Sequence, residues 1–231
     1  MSEFIFFAHR GAAGHEPENT LLAVRKALDL GAKWIEVDVR LAEGEPVVIH
    51  DAGLGRTTDG TGYVAGRSLA YLRSLDAGKG ERIPLLREVF DLAGARAGIN
   101  VELKGRGAAG PVVSLIREYL DCRGWTFDQV LVSSFHPGEL KTVSSLRSQI
   151  RLGLNLRHPG PKSLLAAQGL GAWSVHLGLG SVRRRLVEDA HRKGLKVFVF
   201  TVNRAEDLER VCLLGVDGVF TDYSELGIGN P

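Results

Sequence analysis

KVFVFTVNRAEDLERVCLLGVDGVFTD, from Lys196 to Asp222, contains the unit that decides the fold. Two runs rich in β-branched and aromatic residues, Lys196 to Val202 and Asp217 to Thr221, read as strands. Between them Arg204 to Leu214 reads as a helix that Gly215 stops. Strand, helix, strand is the grammar of a parallel crossover, and working outward the unit recurs. Phe4 to His9, Trp34 to Arg40, Ile99 to Lys104, Val130 to Phe135, Arg151 to Leu156 and Ala172 to Leu177 are equally short and mostly apolar. That makes eight candidate strands. Between them Pro111 to Cys122 repeats Val112, Leu115, Ile116, Tyr119 and Leu120 at helical spacing, with Pro111 opening the helix and Gly124 following it. Asn19 or Thr20 caps the first helix, which carries Leu21, Val24 and Leu28 on one face and ends at Gly31, and Ser181 to Lys193 forms another before Gly194. Glycine, 29 of 231 residues, falls where these periodic segments stop. The expected fold is a closed α/β TIM (β/α)8 barrel. A doubly wound open sheet is the alternative, because a strand count does not prove closure.

Pro46 to His50 is also strand-like, but the Ala42 to Glu45 turn before it is too short for a parallel crossover, so it must fold back on its predecessor. Residues 51–83, full of Gly, Thr and Arg, read as an excursion outside the barrel before a helix that Pro84 opens. The expected organisation is one barrel domain over 1–231 with 51–83 inserted in it, and a final strand followed by a short or missing helix.

Composition narrows the partners. Basic and acidic residues number 29 and 27, a net charge of +2 that gives no sign of nucleic-acid binding. With 44% hydrophobic and 24% charged residues, the chain is too apolar to be disordered. Cys122 and Cys212 are too few for a disulfide framework, and their apolar helical settings predict buried free thiols in a reducing compartment. The first apolar run, Phe4 to Ala8, is far shorter than a signal-peptide core, and no stretch approaches the roughly 20 apolar residues of a spanning helix. A cytoplasmic protein with no stable membrane insertion is expected; the oligomeric state is left open.

Alternation along a strand puts Glu36 and Asp38 on one face of Trp34 to Arg40, pointing into the barrel, and puts Glu102 and Lys104 together on the next strand. Three carboxylates near the C-terminal rim repel one another unless a positive group compensates, and a hard divalent cation is the natural answer. Pairing with Lys104 or Arg40 would account for either acidic pair alone. His9, Arg10 and His50 each end an apolar strand, however, where barrel active sites lie, and this favours a site. Two histidines beside a cation that binds anions suggest a base that takes a proton and an acid that gives one to a leaving oxygen.

At these residues the chain resembles the glycerophosphodiester phosphodiesterases. The resemblance rests on AHRGAAGHEPENT from Ala8 to Thr20, EVDVR from Glu36, VVIHD from Val47, LGRTTDGTG from Leu54, IPLLREVF from Ile83 and NVELK from Asn100, then SSF at Ser133, FTVN at Phe200 and DGVFTD from Asp217. It implies a barrel in which the insertion after the second strand covers a site that hydrolyses a small glycerophosphodiester to glycerol 3-phosphate and an alcohol. His9 and His50 would be the acid and base pair, and Glu36, Asp38 and Glu102 the ligands of magnesium or calcium. Arg10 and Lys104 would contact phosphate, and Phe200, where the family commonly has tryptophan, would form an aromatic wall for the glycerol end.

Other readings compete. One is a lysophospholipase D-like phosphodiesterase, another a Schiff-base aldolase using Lys104, and a third a barrel that binds phosphodiesters without catalysis. His15, His136, His158 and His191 lie in loops or helices and are set aside; His176, Asn155, Ser134 and Phe135 are candidates for pocket lining or packing. Asp222 stands at the rim as a candidate for orienting a neighbour, with no firmer role assigned.

Overall fold

The computed structural model describes residues 4–227. Its elements in chain order are β1 (Ile5–Ala8), α1 (Leu21–Asp29), β2 (Trp34–Ala42), β3 (Glu45–Val48), α2 (Leu69–Ser74), α3 (Leu86–Ala93), β4 (Gly98–Leu103), α4 (Ala109–Cys122), β5 (Val130–Ser134), α5 (Pro137–Leu146), β6 (Arg151–Leu156), α6 (Pro161–Gly169), β7 (Ser174–Gly178), α7 (Arg184–His191), β8 (Lys196–Phe200), α8 (Ala205–Leu213) and β9 (Gly218–Thr221). β1 pairs in parallel with β2 on one side and with β9 on the other, so the sheet closes and the open-sheet alternative falls. β3 lies outside the ring, antiparallel to β2, with Val39 opposite Val48.

Period-two alternation sorts the side chains. Ile35, Val37, Ile99, Val101, Val130, Val132, Val197 and Val199 face outward and bury against Val24, Leu86, Phe90, Val112, Ile116 and Leu140 of the helices. Inside the barrel Phe7, Leu131, Phe198 and Phe220 form a plug, with the Phe7 ring stacked on Phe220 at 4.5 Å. Trp34 joins this plug; Glu36 and Asp38 follow on the same face of β2, nearer its C-terminal end. Residues 51–83 fold with β3 over a small separate apolar cluster that includes Val47, Leu54, Val64, Leu72 and Ile83.

Several boundaries differ from the sequence reading. α4 opens at Ala109, two residues before Pro111, and α3 at Leu86, where Glu88 accepts a hydrogen bond from the Leu85 amide. α7 is confined to Arg184–His191, shorter at both ends than Ser181 to Lys193. Thr20 is the cap of α1, its hydroxyl accepting from the Ala23 amide at 3.1 Å. Both cysteines are exposed rather than buried, because the last turns of α4 and α8 turn these positions toward solvent. Among the described residues no helix is long and apolar enough to cross a membrane.

His176 is fully buried within the barrel, its Nε2 2.9 Å from the Ser174 hydroxyl and its ring against Phe198 and Phe220. Gly153 on the neighbouring strand makes room for it, since a Cβ there would lie 2.5 Å from the imidazole. Burial pushes the His176 pKa down to about 3. The unfolded chain takes this proton near the ordinary value of 6.5 and the folded chain does not, so stability falls as pH drops through that window. The loss is roughly 1.4 kcal/mol per pH unit. Denaturant titrations between pH 7 and 4 should show a flatter acid limb for His176→Leu than for the parent; equal slopes would contradict this assignment.

Candidate active site

The C-terminal ends of β1, β2 and β4, with the loop after β3, bring the predicted residues to one mouth of the barrel. Just past β1 the chain turns back through Arg10 and Gly11, both at positive φ (53° and 81°). A Cβ on Gly11 would sit 2.7 Å from the Ala23 carbonyl carbon, so the turn requires glycine. The turn also aims two amides at one residue: Arg10 N–H donates to Glu36 Oε2 at 2.8 Å and Gly11 N–H to the Glu36 carbonyl at 3.1 Å.

Glu36, Asp38 and Glu102 each offer a carboxylate oxygen within 4.8 Å of the others. Their surroundings differ. Burial disfavours the Asp38 charge, but Lys104 Nζ at 3.2 Å and Arg10 Nε at 3.3 Å outweigh it and hold this carboxyl below its ordinary range. Asn19 clamps it further, Nδ2 donating to Asp38 Oδ2 at 2.8 Å and Oδ1 accepting from the Asp38 amide at 3.1 Å. Glu102 accepts from Lys104 Nζ at 2.6 Å, yet burial and Asp38 keep its pKa raised. Burial, then Asp38, pushes Glu36 up to about 8, and its Oε1 is buried with no hydrogen-bond partner. Pairing with Lys104 therefore accounts for Asp38 and Glu102 but not for Glu36, and Arg40 forms no ion pair with any of them; its Nε donates to the His50 carbonyl at 3.0 Å. Three convergent carboxylates, with one oxygen, Glu36 Oε1, buried and unpartnered, fit the hard oxygen ligand set of a magnesium- or calcium-type cation.

Each strand-end histidine is gripped at Nδ1 by its own aspartate. His9 Nδ1 lies 2.7 Å from Asp222 Oδ1, and Asp222 is itself held by Asn203, whose Nδ2 donates to Oδ2 at 2.5 Å. Burial opposes the His9 imidazolium, but the bond to Asp222 and the charge of Glu36, 4.0 Å from Nε2, leave its pKa raised. His50 Nδ1 lies 2.5 Å from Asp51 Oδ1, while Arg56 holds the other Asp51 oxygen. For His50 burial prevails over Asp38 and Asp51 and the pKa is lowered. Glu18 accepts from both Arg56, at 2.7 Å, and Arg10, at 2.8 Å, so one chain of ion pairs runs from His50 to Asp38. Beside His50 and Lys104 opens a cavity of about 560 Å³ walled in part by Phe135. The Phe200 ring stands edge-on to Phe135 at 6.0 Å.

Sequence reasoning missed the positioning roles of Asn19, Glu18, Asp51, Arg56 and Asn203. Asp222, at the rim, does orient a neighbour, His9, and Asp51 at least stood beside a recognisable strand end. Of the residues set aside, His15 pairs with Glu225, His191 pairs with Asp217 and His158 is exposed, whereas His136, also exposed, lines the cavity beside His50. Ser134 is buried, its hydroxyl spent on the Leu103 carbonyl.

Comparison with known proteins identifies the family. A glycerophosphodiester phosphodiesterase from Caldanaerobacter subterraneus is 36% identical over 96% of this chain and 95% of its own. A human lysophospholipase D is 27% identical over 94% of this chain and 82% of its own. The solved structure of an Oleispira antarctica phosphodiesterase, in complex with the product sn-glycerol-3-phosphate, superposes with a TM-score of 0.88 at 33% identity, covering 96% of this chain and 94% of that one. The model of the glycerophosphoryl diester phosphodiesterase family matches residues 9–226, from the first strand-end histidine past the aspartate that holds it, and the chain belongs to that family.

Proposed function

We propose that this family member hydrolyses glycerophosphodiesters to glycerol 3-phosphate and an alcohol, with Glu36, Asp38 and Glu102 holding a magnesium or calcium ion and His9 and His50 exchanging the protons. The observation that carries the reading is the convergence of three carboxylates within 4.8 Å beside two histidines whose Nδ1 atoms are already committed to aspartates. That commitment fixes the tautomer and leaves each Nε2 as the atom that gains or loses a proton. One imidazole takes the proton of the attacking oxygen and the other protonates the departing alkoxide. Attack by water gives glycerol 3-phosphate directly, and the pair then exchanges its protons with solvent; attack by the glycerol 2-hydroxyl gives a cyclic 1,2-phosphate, which water opens to glycerol 3-phosphate with the two imidazoles exchanging roles. When bound, the cation supplies positive charge to the phosphoryl oxygens and acts as a Lewis acid.

Arg10 and Lys104 complete the anion site. Lys104 has three N–H donors and the structure engages two carboxylates with them, which leaves a donor for a phosphoryl oxygen. The same engagement opposes a Schiff-base role: burial favours the neutral amine, but Asp38 and Glu102 outweigh it and keep Lys104 protonated. The glycerol-3-phosphate held by the Oleispira antarctica enzyme supports the same product here.

The test is glycerol 3-phosphate release from glycerophosphocholine and glycerophosphoethanolamine by purified protein. Release that stops in chelator and returns with added magnesium or calcium is expected. Release undiminished by chelator, or none from any diester, overturns the reading.

A further inference from the structure

The cavity beside His50 is unusually cationic. Among the described residues Arg40, Arg56, Lys104 and Arg157 line it together with His50 and His136, and Asp51 is the only acid that does. Asp51 is already spent on His50 and Arg56. Lys104 is balanced by Asp38 and Glu102, and Arg56 by Glu18 and Asp51, but Arg40 and Arg157 form no ion pair among the described residues. Arg40 commits only Nε, to the His50 carbonyl. The aromatic wall is occupied as well: Arg157 lies 5.1 Å and Lys104 5.7 Å from the centroid of the Phe135 ring. A choline or ethanolamine head entering here would find that ring already covered by cations and would meet like charge.

Resting on the phosphodiesterase reading, we infer that this cavity takes the alcohol end of the diester and selects alcohols bearing a further anionic group, with Arg157 and Arg40 as the specificity-determining residues. A phosphate monoester or a carboxylate has the required chemistry, because an arginine fork binds either through paired N–H donors.

Two substrate pairs separate the sources of charge. Glycerophosphoinositol 4-phosphate differs from glycerophosphoinositol by one phosphate monoester, and glycerophosphoserine from glycerophosphoethanolamine by one carboxylate. For the parent enzyme kcat/KM should favour the more anionic member at least tenfold in one pair or both. That ratio should shrink toward unity as salt is raised and in Arg157→Gln, and invert in Arg157→Glu. A preference confined to the inositol pair narrows the ligand to a phosphate monoester; one confined to the serine pair narrows it to a carboxylate. Equal turnover of both members in both pairs overturns the charge selection and leaves the phosphodiesterase reading standing, whereas no turnover of any diester overturns both.

Discussion

His9→Ala and His50→Ala each lower turnover of a glycerophosphodiester by roughly a hundred to ten thousand fold, the usual worth of a positioned acid or base. The expectation follows from how the imidazoles are held. Asp222 fixes His9 and is fixed in turn by Asn203, and Asp51 fixes His50 and is fixed by Arg56, so neither ring can rotate without breaking a chain of two bonds. A purely structural histidine at a rim does not need such orientation. The proposed site assigns substrate binding mainly to Arg10, Lys104 and the cation, so on that reading the loss should appear in kcat with KM changed far less. Asp222→Asn keeps the shape around His9 but not its charge, and should lower kcat in the same direction by less than His9→Ala. Thermal melts show whether each variant is folded. A folded alanine variant at either position that retains a third or more of the parental kcat would remove that histidine from the mechanism.

The sequence carried the skeleton of this site because the relevant signals are local. Alternation alone placed Glu36 beside Asp38 and Glu102 beside Lys104, and the length of the turn before Pro46 alone required β3 to run antiparallel. Tertiary choices were illegible. Asn19 and Thr20 are equally good caps by residue type, and only the presence of Asp38 across the barrel mouth assigns Thr20 to the helix and Asn19 to the acid. The His9 to Asp222 bond spans 213 positions, and no periodicity links its ends. The cysteines were misread for a related reason: an apolar neighbourhood in sequence does not say which side of the last helical turn a residue occupies. His176 shows the converse, an inward strand position whose depth below the mouth decides packing over chemistry.

Loading the three-carboxylate site with a divalent cation should stabilise the protein and start catalysis together, and Glu36→Gln should separate those two effects. At a hundredfold excess over its dissociation constant, an ion that binds only the folded chain contributes ~2.7 kcal/mol, a rise in Tm of roughly 5 to 10 °C for a domain of this size. Without the ion, Glu36 is a buried carboxyl beside Asp38 and Glu102, with Oε1 unpartnered. Burial and Asp38 already hold the ion-free Glu36 carboxyl largely neutral near pH 7, and glutamine keeps an acceptor for the Arg10 amide, so ion-free Glu36→Gln should melt no lower than the ion-free parent. Its response to magnesium or calcium should shrink to a degree or two, and its turnover should fall at least a thousandfold, given the several kcal/mol of transition-state charge stabilisation such an ion supplies. If the acids served only to pair with Arg10 and Lys104, the opposite pattern would appear: no thermal response to either cation in the parent, and a lower Tm on losing Glu36. Scanning calorimetry of both proteins, with and without ion, decides between the two, because a residue kept for its ion is a cost to the fold until that ion arrives.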